Sequence, residues 1–461
     1  MGSARASAST AVRVAPVFAV GLSFFIGNLD ATVVNVATTE IGEDLVASTS
    51  AVAWVVNGFI LALAALLLFG GDLTGRFGAR RMYVCGLVLF TVASVLAGMT
   101  ATAPLLIGAR VAQGMGAALF QPAGLALLGA AYPESAVRQR MIGVWAAMGA
   151  AAAALGPMIG GFIVAGLGWR WIFWANLPIG IAAIWMALAV LPRLPGRAHR
   201  IPLAGHLLFV LAVAGFAVAL MQGPSEGWGA PVPIMGVVIA ALSLAVFVWW
   251  QRRSSGEVYP GRVLRNRDFS LANIIGVFMN VGLFGGVFYV SIVLQQGLSA
   301  SPLMAGLQLL PMMVMFVIGN LAFSRLSARL GSRRAIIVGM SAATTAVAVL
   351  AFISLGEVSY LSLTVCLSVA HLGLGIASPA MTSVMVNSVE PRDIGIAGAV
   401  MNVNRQLGSL IGIAIVAGLL AAATASPLAA APMIFGLAVA GYAIGAIAGA
   451  RLHKATRSAE A

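Results

Sequence analysis

Fourteen mostly apolar stretches succeed one another along the chain, separated by short polar gaps. They are centred on 15–37, 51–70, 82–101, 104–131, 141–165, 171–192, 202–221, 232–250, 271–296, 303–324, 335–355, 359–384, 397–422 and 428–450. A helix rises about 1.5 Å per residue, so about 20 apolar residues carry it across the hydrocarbon of a bilayer. The pattern predicts an all-α polytopic membrane protein of 14 transmembrane helices, with bends in the longest runs.

The gaps give the helices a direction. With the N-terminus on the cytoplasmic side, 23 of the 26 basic residues fall in inside gaps or tails, among them Arg76, Arg80, Arg81, Arg138, Arg140, Arg193, Arg325, Arg329, Arg333 and Arg334. Arg170 is external, as are Glu40, Glu43, Asp44, Glu226 and Glu357. Loops rich in Lys and Arg stay inside, which puts both termini in the cytoplasm; an odd helix count would scramble the alternation.

Two inside gaps repeat a pattern at an offset of 253 residues: Arg76-Phe77-Gly78-Ala79-Arg80-Arg81 and Arg329-Leu330-Gly331-Ser332-Arg333-Arg334. Gly116 to Pro122-Ala123 and Gly373 to Pro379-Ala380 echo it at nearly the same offset. Each basic gap follows the second helix of a group of six once helices 7 and 8 are set aside as an inserted hairpin. The chain therefore divides into 1–200 (six helices), 201–251 (hairpin), 252–270 (basic cytoplasmic linker) and 271–461 (six helices). Two six-helix halves in parallel, with a site between them near the midplane, are a recurring transporter plan.

Composition removes other classes. The 461 residues are 61% hydrophobic and 8% charged, with mean hydropathy +1.02, whereas soluble domains carry about 25% charged residues. The net charge of +13 comes without a basic patch interleaved with aromatics, so it reports topology rather than a nucleic-acid partner. Cys85 and Cys366 lie inside apolar runs and read as packing thiols. The first run lacks a cleavage site and reads as a retained helix; Ala6 stands where myristoylation wants Ser or Thr. No cluster has metal-ligand spacing and no phosphate-cradling loop appears, so neither metal nor cofactor is expected.

Candidate chemistry centres on Asp30, the only acid inside a long apolar run. A carboxylate there costs about 2.5–3.5 kcal/mol on insertion scales, which marks it as functional. A lone titratable acid in a polytopic protein suits proton coupling. Arg110 shares one face of the fourth helix with Gln113, Ala117 and Gln121, and is expected to sense or tune Asp30. Arg405 shares a face of the thirteenth with Asn402 and Ser409, either lining a cavity or bracing one end. His371 is the one mid-membrane histidine, read as titrating or as packing.

Several stretches together resemble the fourteen-helix drug:proton antiporter branch of the major facilitator superfamily. They are Leu29-Asp30-Ala31-Thr32-Val33-Val34-Asn35-Val36-Ala37, Trp54-Val55-Val56-Asn57, Trp169-Arg170-Trp171-Ile172-Phe173 with Asn176-Leu177-Pro178-Ile179-Gly180, and Ser301-Pro302 with Ala305-Gly306 and Leu310-Pro311. The loop Gly71-Asp72-Leu73-Thr74-Gly75-Arg76-Phe77-Gly78-Ala79-Arg80-Arg81 resembles the superfamily's signature loop, with Gly75 in place of its aspartate and Asp72 three residues earlier. Arg110 to Gly116 resembles its helix-4 motif, and Gly156-Pro157-Met158-Ile159-Gly160-Gly161 its antiporter motif.

The resemblance implies proton-coupled efflux of hydrophobic or amphipathic small molecules by alternating access, from the inner membrane of a bacterium, by a monomer in lipid. It assigns proton coupling to Asp30 and Arg110, and conformational switching to Gly71, Asp72, Arg76, Gly78, Arg80, Arg81, Gly156, Pro157, Gly160 and Gly161. Candidates for the substrate cavity are Asn35, Trp54, Asn57, Gln113, Trp145, Met148, Gln295, Asn402 and Arg405. With one intramembrane acid and two arginines, the expected cargo is neutral, zwitterionic or singly cationic. Export of one endogenous metabolite is the alternative. A membrane enzyme is a third reading, and it would need a second acid, a nucleophile–base pair or a metal near Asp30.

Overall fold

The computed structural model describes residues 2–47, 49–196, 201–253, 263, 265–300, 302–356, 358–390, 393–422 and 427–453, and the regular structure there is helical. Fourteen segments can cross a bilayer: α1 (Val14–Val33), α2 (Trp54–Phe77), α3 (Ala79–Gly98), α4 (Ala103–Ala131), α5 (Ser135–Leu167), α6 (Arg170–Val190), α7 (Leu203–Leu220), α8 (Pro231–Gln251), α9 (Arg267–Ile292), α10 (Met304–Ser327), α11 (Arg329–Ile353), α12 (Tyr360–Asn387), α13 (Ala397–Leu420) and α14 (Pro427–Ala450). Counting α5 as one span, the number is that expected from the apolar runs. Most of the 252–270 linker lies outside the described residues, as do Arg197, Arg200, Arg262, Glu357, Arg392, Lys454 and Arg457 of the charge map. So do the side chains of Asn35, Pro157 and Gln295.

The two groups of six helices repeat one packing scheme. In the first, α1 packs on α5 and α6, α2 on α4, and α3 on α4 and α6. In the second, α9 packs on α13 and α14, α10 and α11 on α12, and α11 on α14 through Met340 and Ile336. Gly86 and Gly116 bring α3 and α4 together so closely that a Cβ on Gly116 would lie 2.7 Å from the Gly86 carbonyl oxygen; Gly339 and Gly373 do the same for α11 and α12. In lipid the outside is as apolar as the helix surface, so close backbone approach rather than hydrophobic burial holds such pairs. The repeated basic gaps turn at Gly78 (φ 93°) and Gly331 (φ 67°), a region that costs a side chain strain and glycine none.

The halves meet along α2 and α4 against α13, and α5 against α10 and α12. The hairpin α7–α8 leans on this seam: α7 touches both α2 and α13. The side carrying Arg76, Arg138, Arg325 and Arg329 is the basic face, and the side carrying Glu40, Glu43 and Asp44 the acidic face. At the basic face the halves are in contact. Arg138 Nε donates to Asn387 Oδ1 at 3.1 Å. Ile394 packs on Gly129, Leu125 on Gly398, and Ser324 on Gly143.

Two details differ from the apolar pattern. The first run reaches Ala37 in the sequence, but α1 ends at Val33, and a 3-10 turn (Val34–Ala37) leads into a short helix, Thr38–Asp44. The tighter turn tucks Val34, Ala37 and Ile41 against Val55, Leu106 and Trp169. In α5 the axis turns by 44° between Ser135–Ala153 and Met158–Leu167, across the segment holding Gly156 and Pro157. Proline removes a backbone donor and crowds the preceding turn, which accounts for a bend there.

Candidate functional site

Five helices converge on Asp30, which has no solvent exposure. From α4, Arg110 Nη1 donates to Asp30 Oδ2 as an ion pair and to Gln113 Oε1 at 2.8 Å. Its Nε donates to the α2 carbonyl of Val55 at 2.9 Å. Gln113 Nε2 donates to Asp30 Oδ1 at 3.2 Å and to Ser94 Oγ of α3 at 2.7 Å. Asn176 of α6 donates to Asp30 Oδ1 at 2.9 Å and to Ser94 Oγ at 3.3 Å. The rings of Phe59 and Phe173 close over the guanidinium at 4.8 and 5.8 Å.

The carboxylate thus has an arginine and two amides as donors, a set matched to its charged form. Breaking a buried pair by removing one partner costs about 3–5 kcal/mol, since the survivor keeps its charge without compensation. Protonating Asp30 removes the charge that Arg110, Gln113 and Asn176 all address. The links from α1 to α4 and α6 weaken together. A change in the charge of that one carboxylate therefore bears on several helices at once.

Close by, glycines of α5 make room for side chains of α1: a Cβ on Gly160 would lie 2.8 Å from Val33 Cγ2, and Gly156 abuts the Thr32 side chain. Gly161 faces open space. Two residues of the sequence's cavity set, Trp54 and Asn57, are half-buried on the acidic-face end of α2, flanking Val55. Gln113 sits within the Asp30 cage with no exposure.

A second cluster lies where α1 meets α13 and α5. Phe24 and Trp145 stack with ring centroids 4.1 Å apart, and Arg405 lies over Phe24 at 5.3 Å. Arg405 Nη1 reaches Asn28 Oδ1 at 3.4 Å. Met148 packs on Gly21. Asn402 is buried and donates to Gly398 O at 3.0 Å. Trp145 and Arg405 both contact Phe24; Trp54 and Asn57 lie away from it on α2, beside the Val55 that Arg110 engages.

The signature loop divides between buried and exposed positions. Asp72 is buried, and its Oδ2 lies 2.8 Å from His206 Nε2 of α7. Gly71 is buried, Arg76 and Arg81 are exposed, and Arg80 donates to the carbonyl of Leu188 at the end of α6. His371 is buried with Nδ1 2.8 Å from Leu367 O, an intrahelical bond. At the acidic face Arg170 donates to Asp44 at 2.7 Å; that bond, joined by one from Trp169, holds the Asp44 carboxyl below its ordinary range against the opposing effect of burial.

Ser94, Asn176 and the Val55 carbonyl were not among the candidates. Asn176 had a signal, since it stands in the Asn176-Leu177-Pro178 stretch; Ser94 had none, being one serine among many in an apolar run.

Two repeated six-helix bundles, the first holding a buried carboxylate, make a membrane transporter fold. The chain belongs to the Major Facilitator Superfamily, whose model matches residues 20–413. It is 42% identical to the methylenomycin A resistance protein of Bacillus subtilis (strain 168) over 442 residues, 96% of this chain and 94% of that one. It is 33% identical to the multidrug resistance protein Stp of Mycobacterium tuberculosis (strain CDC 1551 / Oshkosh) over 407 residues, 88% of this chain and 75% of that one. Among solved structures, the proton:xylose symporter XylE superposes with a TM-score of 0.68 at 13% identity, covering 94% of this chain and 95% of that one.

Proposed function

We propose that this protein exports apolar or amphipathic small molecules, antibiotics among them, in exchange for protons taken up at Asp30. The observation that carries the reading is the buried Asp30–Arg110 pair of α1 and α4, tied through Val55, Ser94 and Asn176 to three further helices, α2, α3 and α6. The relatives named for methylenomycin A and multidrug resistance support export as the direction. Residues 1–200 and 271–461 form the moving halves, 201–251 the accessory hairpin and 252–270 their linker. The basic face is cytoplasmic, as positive-inside charge requires, and the protein works as a monomer in a bacterial cell membrane.

The contacts support an alternating-access cycle. With Asp30 ionised, the cage holds α1, α2, α3, α4 and α6 in one arrangement, and the basic face is closed. Protonation from outside releases the cage; opening of the basic face then exposes Asp30 to a less acidic compartment, where cargo enters and the proton leaves. The test is efflux from proteoliposomes over a panel that includes methylenomycin A, driven by an imposed pH gradient with and without an uncoupler. Gradient-driven transport abolished by the uncoupler is expected; transport indifferent to it would overturn proton coupling. Movement of methylenomycin A alone within the panel would make the protein a dedicated exporter.

A further inference from the structure

Arg405 is a cation inside the membrane that pairs with no carboxylate among the described residues. The other intramembrane arginine, Arg110, is neutralised by Asp30. Among the described residues Arg405 has only the amide oxygen of Asn28 at 3.4 Å and the ring of Phe24 at 5.3 Å. A guanidinium keeps its charge at any working pH, and at membrane depth it normally finds an anion or backbone carbonyls. Arg405 is half-buried rather than sealed, and it stands at a seam between the two halves.

The local geometry is built around that charge. Asn28 donates its own Nδ2 to Phe24 O at 2.6 Å, which fixes the amide and turns Oδ1 toward Arg405. Phe24 is stacked on Trp145, so the rings form a stiff apolar wall beside the guanidinium. With Asp30 spoken for, the net charge of this cluster is that of Arg405. A cationic cargo meets repulsion here, and a neutral one leaves the guanidinium uncompensated.

We propose that Arg405 receives the carboxylate of a monoanionic, largely apolar substrate, whose body packs on Phe24 and Trp145. The proposal rests on the export reading and names its substrate class, moving the expected cargo from singly cationic to singly anionic. A planar guanidinium binds a carboxylate through two parallel hydrogen bonds, a geometry an ammonium lacks. Asn28 and Asp30 are two residues apart, about 200° around α1 at 3.6 residues per turn. One helix therefore presents the proton-binding acid on one face and the Arg405 contact on the other, so cargo and proton act on the same rigid body from opposite sides.

The experiment measures equilibrium binding of radiolabelled 1-naphthaleneacetate and its neutral isostere 1-naphthaleneacetamide to the full-length protein in nanodiscs, with empty nanodiscs subtracted. A hydrogen bond between two charged groups is stronger than one to a neutral amide, so the acetate is expected to bind about tenfold or more tighter than the acetamide. Arg405→Gln should remove that preference while leaving acetamide binding within about twofold, and Arg405→Lys should retain part of it. Equal wild-type affinities, no saturable acetate binding, or equal weakening of both probes by Arg405→Gln would overturn the proposal, the last marking a bracing residue. Should Arg405→Gln fail to insert, the wild-type comparison and Arg405→Lys decide. The assay needs no proton gradient, so a failure of proton-driven export leaves its outcome standing, and the reverse.

Discussion

Asp30 has three donors on its two oxygens, and this determines what each substitution removes. Asp30→Asn keeps the size but cannot titrate, so gradient-driven efflux should fall to background while the protein still inserts. Retained pH-driven transport in the purified variant would remove Asp30 as the proton carrier. Arg110→Ala deletes bonds to Asp30, Gln113 and Val55 and leaves a buried carboxylate with amides alone, a cost of about 3–5 kcal/mol. Arg110→Lys restores a charge but not the reach to all three partners, so its loss of coupling should be smaller. Efflux by Arg110→Ala equal to wild type would reduce Arg110 to packing. Asn176→Leu tests a partner the sequence did not single out: it removes a hydrogen bond to a buried carboxylate, worth about 1–3 kcal/mol, and should lower gradient-driven efflux without preventing insertion; efflux equal to wild type would make Asn176 dispensable to the cage. The two charges were legible because charge is rare inside apolar runs. The polar neutrals were not, since an isolated Ser or Asn in a helix reads the same whether it faces lipid, a neighbour or a carboxylate.

The same distinction holds among the elements. Fourteen helices follow from apolar length alone, and the basic gaps announce the repeat. What the repeat means physically is seen in the pairs Gly86–Gly116 and Gly339–Gly373, where backbone meets backbone in both halves. Gly116→Val would force α3 from α4 and disturb the turn of helix that carries Gln113. Overpacking costs about 1–3 kcal/mol, so a lowered melting temperature and weakened coupling are expected together, read by thermal unfolding and proteoliposome efflux. An unchanged melting temperature would show that the helices can separate freely. The hairpin is tied on by a contact no local pattern announces, Asp72 to His206 across 134 residues. His206→Leu removes a hydrogen bond to a buried acid, worth about 1–3 kcal/mol. It should expose the 201–251 segment to limited proteolysis; unchanged cleavage would show that α7 is held by apolar packing instead.

For the whole molecule, closure at the basic face rests on contacts between halves: Arg138 with Asn387, and the backbone approach of Gly143 to Ser324. A Cβ on Gly143 would lie 2.8 Å from Ser324 Cβ and 3.0 Å from its backbone. Gly143→Leu should therefore disfavour closure and speed alkylation of a reporter cysteine at Leu125 from the cytoplasmic side. Labelling as slow as in the wild-type background would place the closing contact elsewhere.

By itself the sequence determined the solvent, the number of the helices, the repeat and the two intramembrane charges, Asp30 and Arg110, that the structure pairs. Each of these rests on a property carried by single residues or short runs: apolar length, charge, and glycine's freedom at positive φ. Only the tertiary structure decided which neutral groups complete the Asp30 cage, that Asp72 is turned toward the hairpin, and that Arg405 lies against Asn28 and Phe24 rather than an acid. Those are pairings between helices distant in sequence, fixed by how side chains on one helix face meet those on another, and a helix's face is chosen by its neighbours rather than by its own residues.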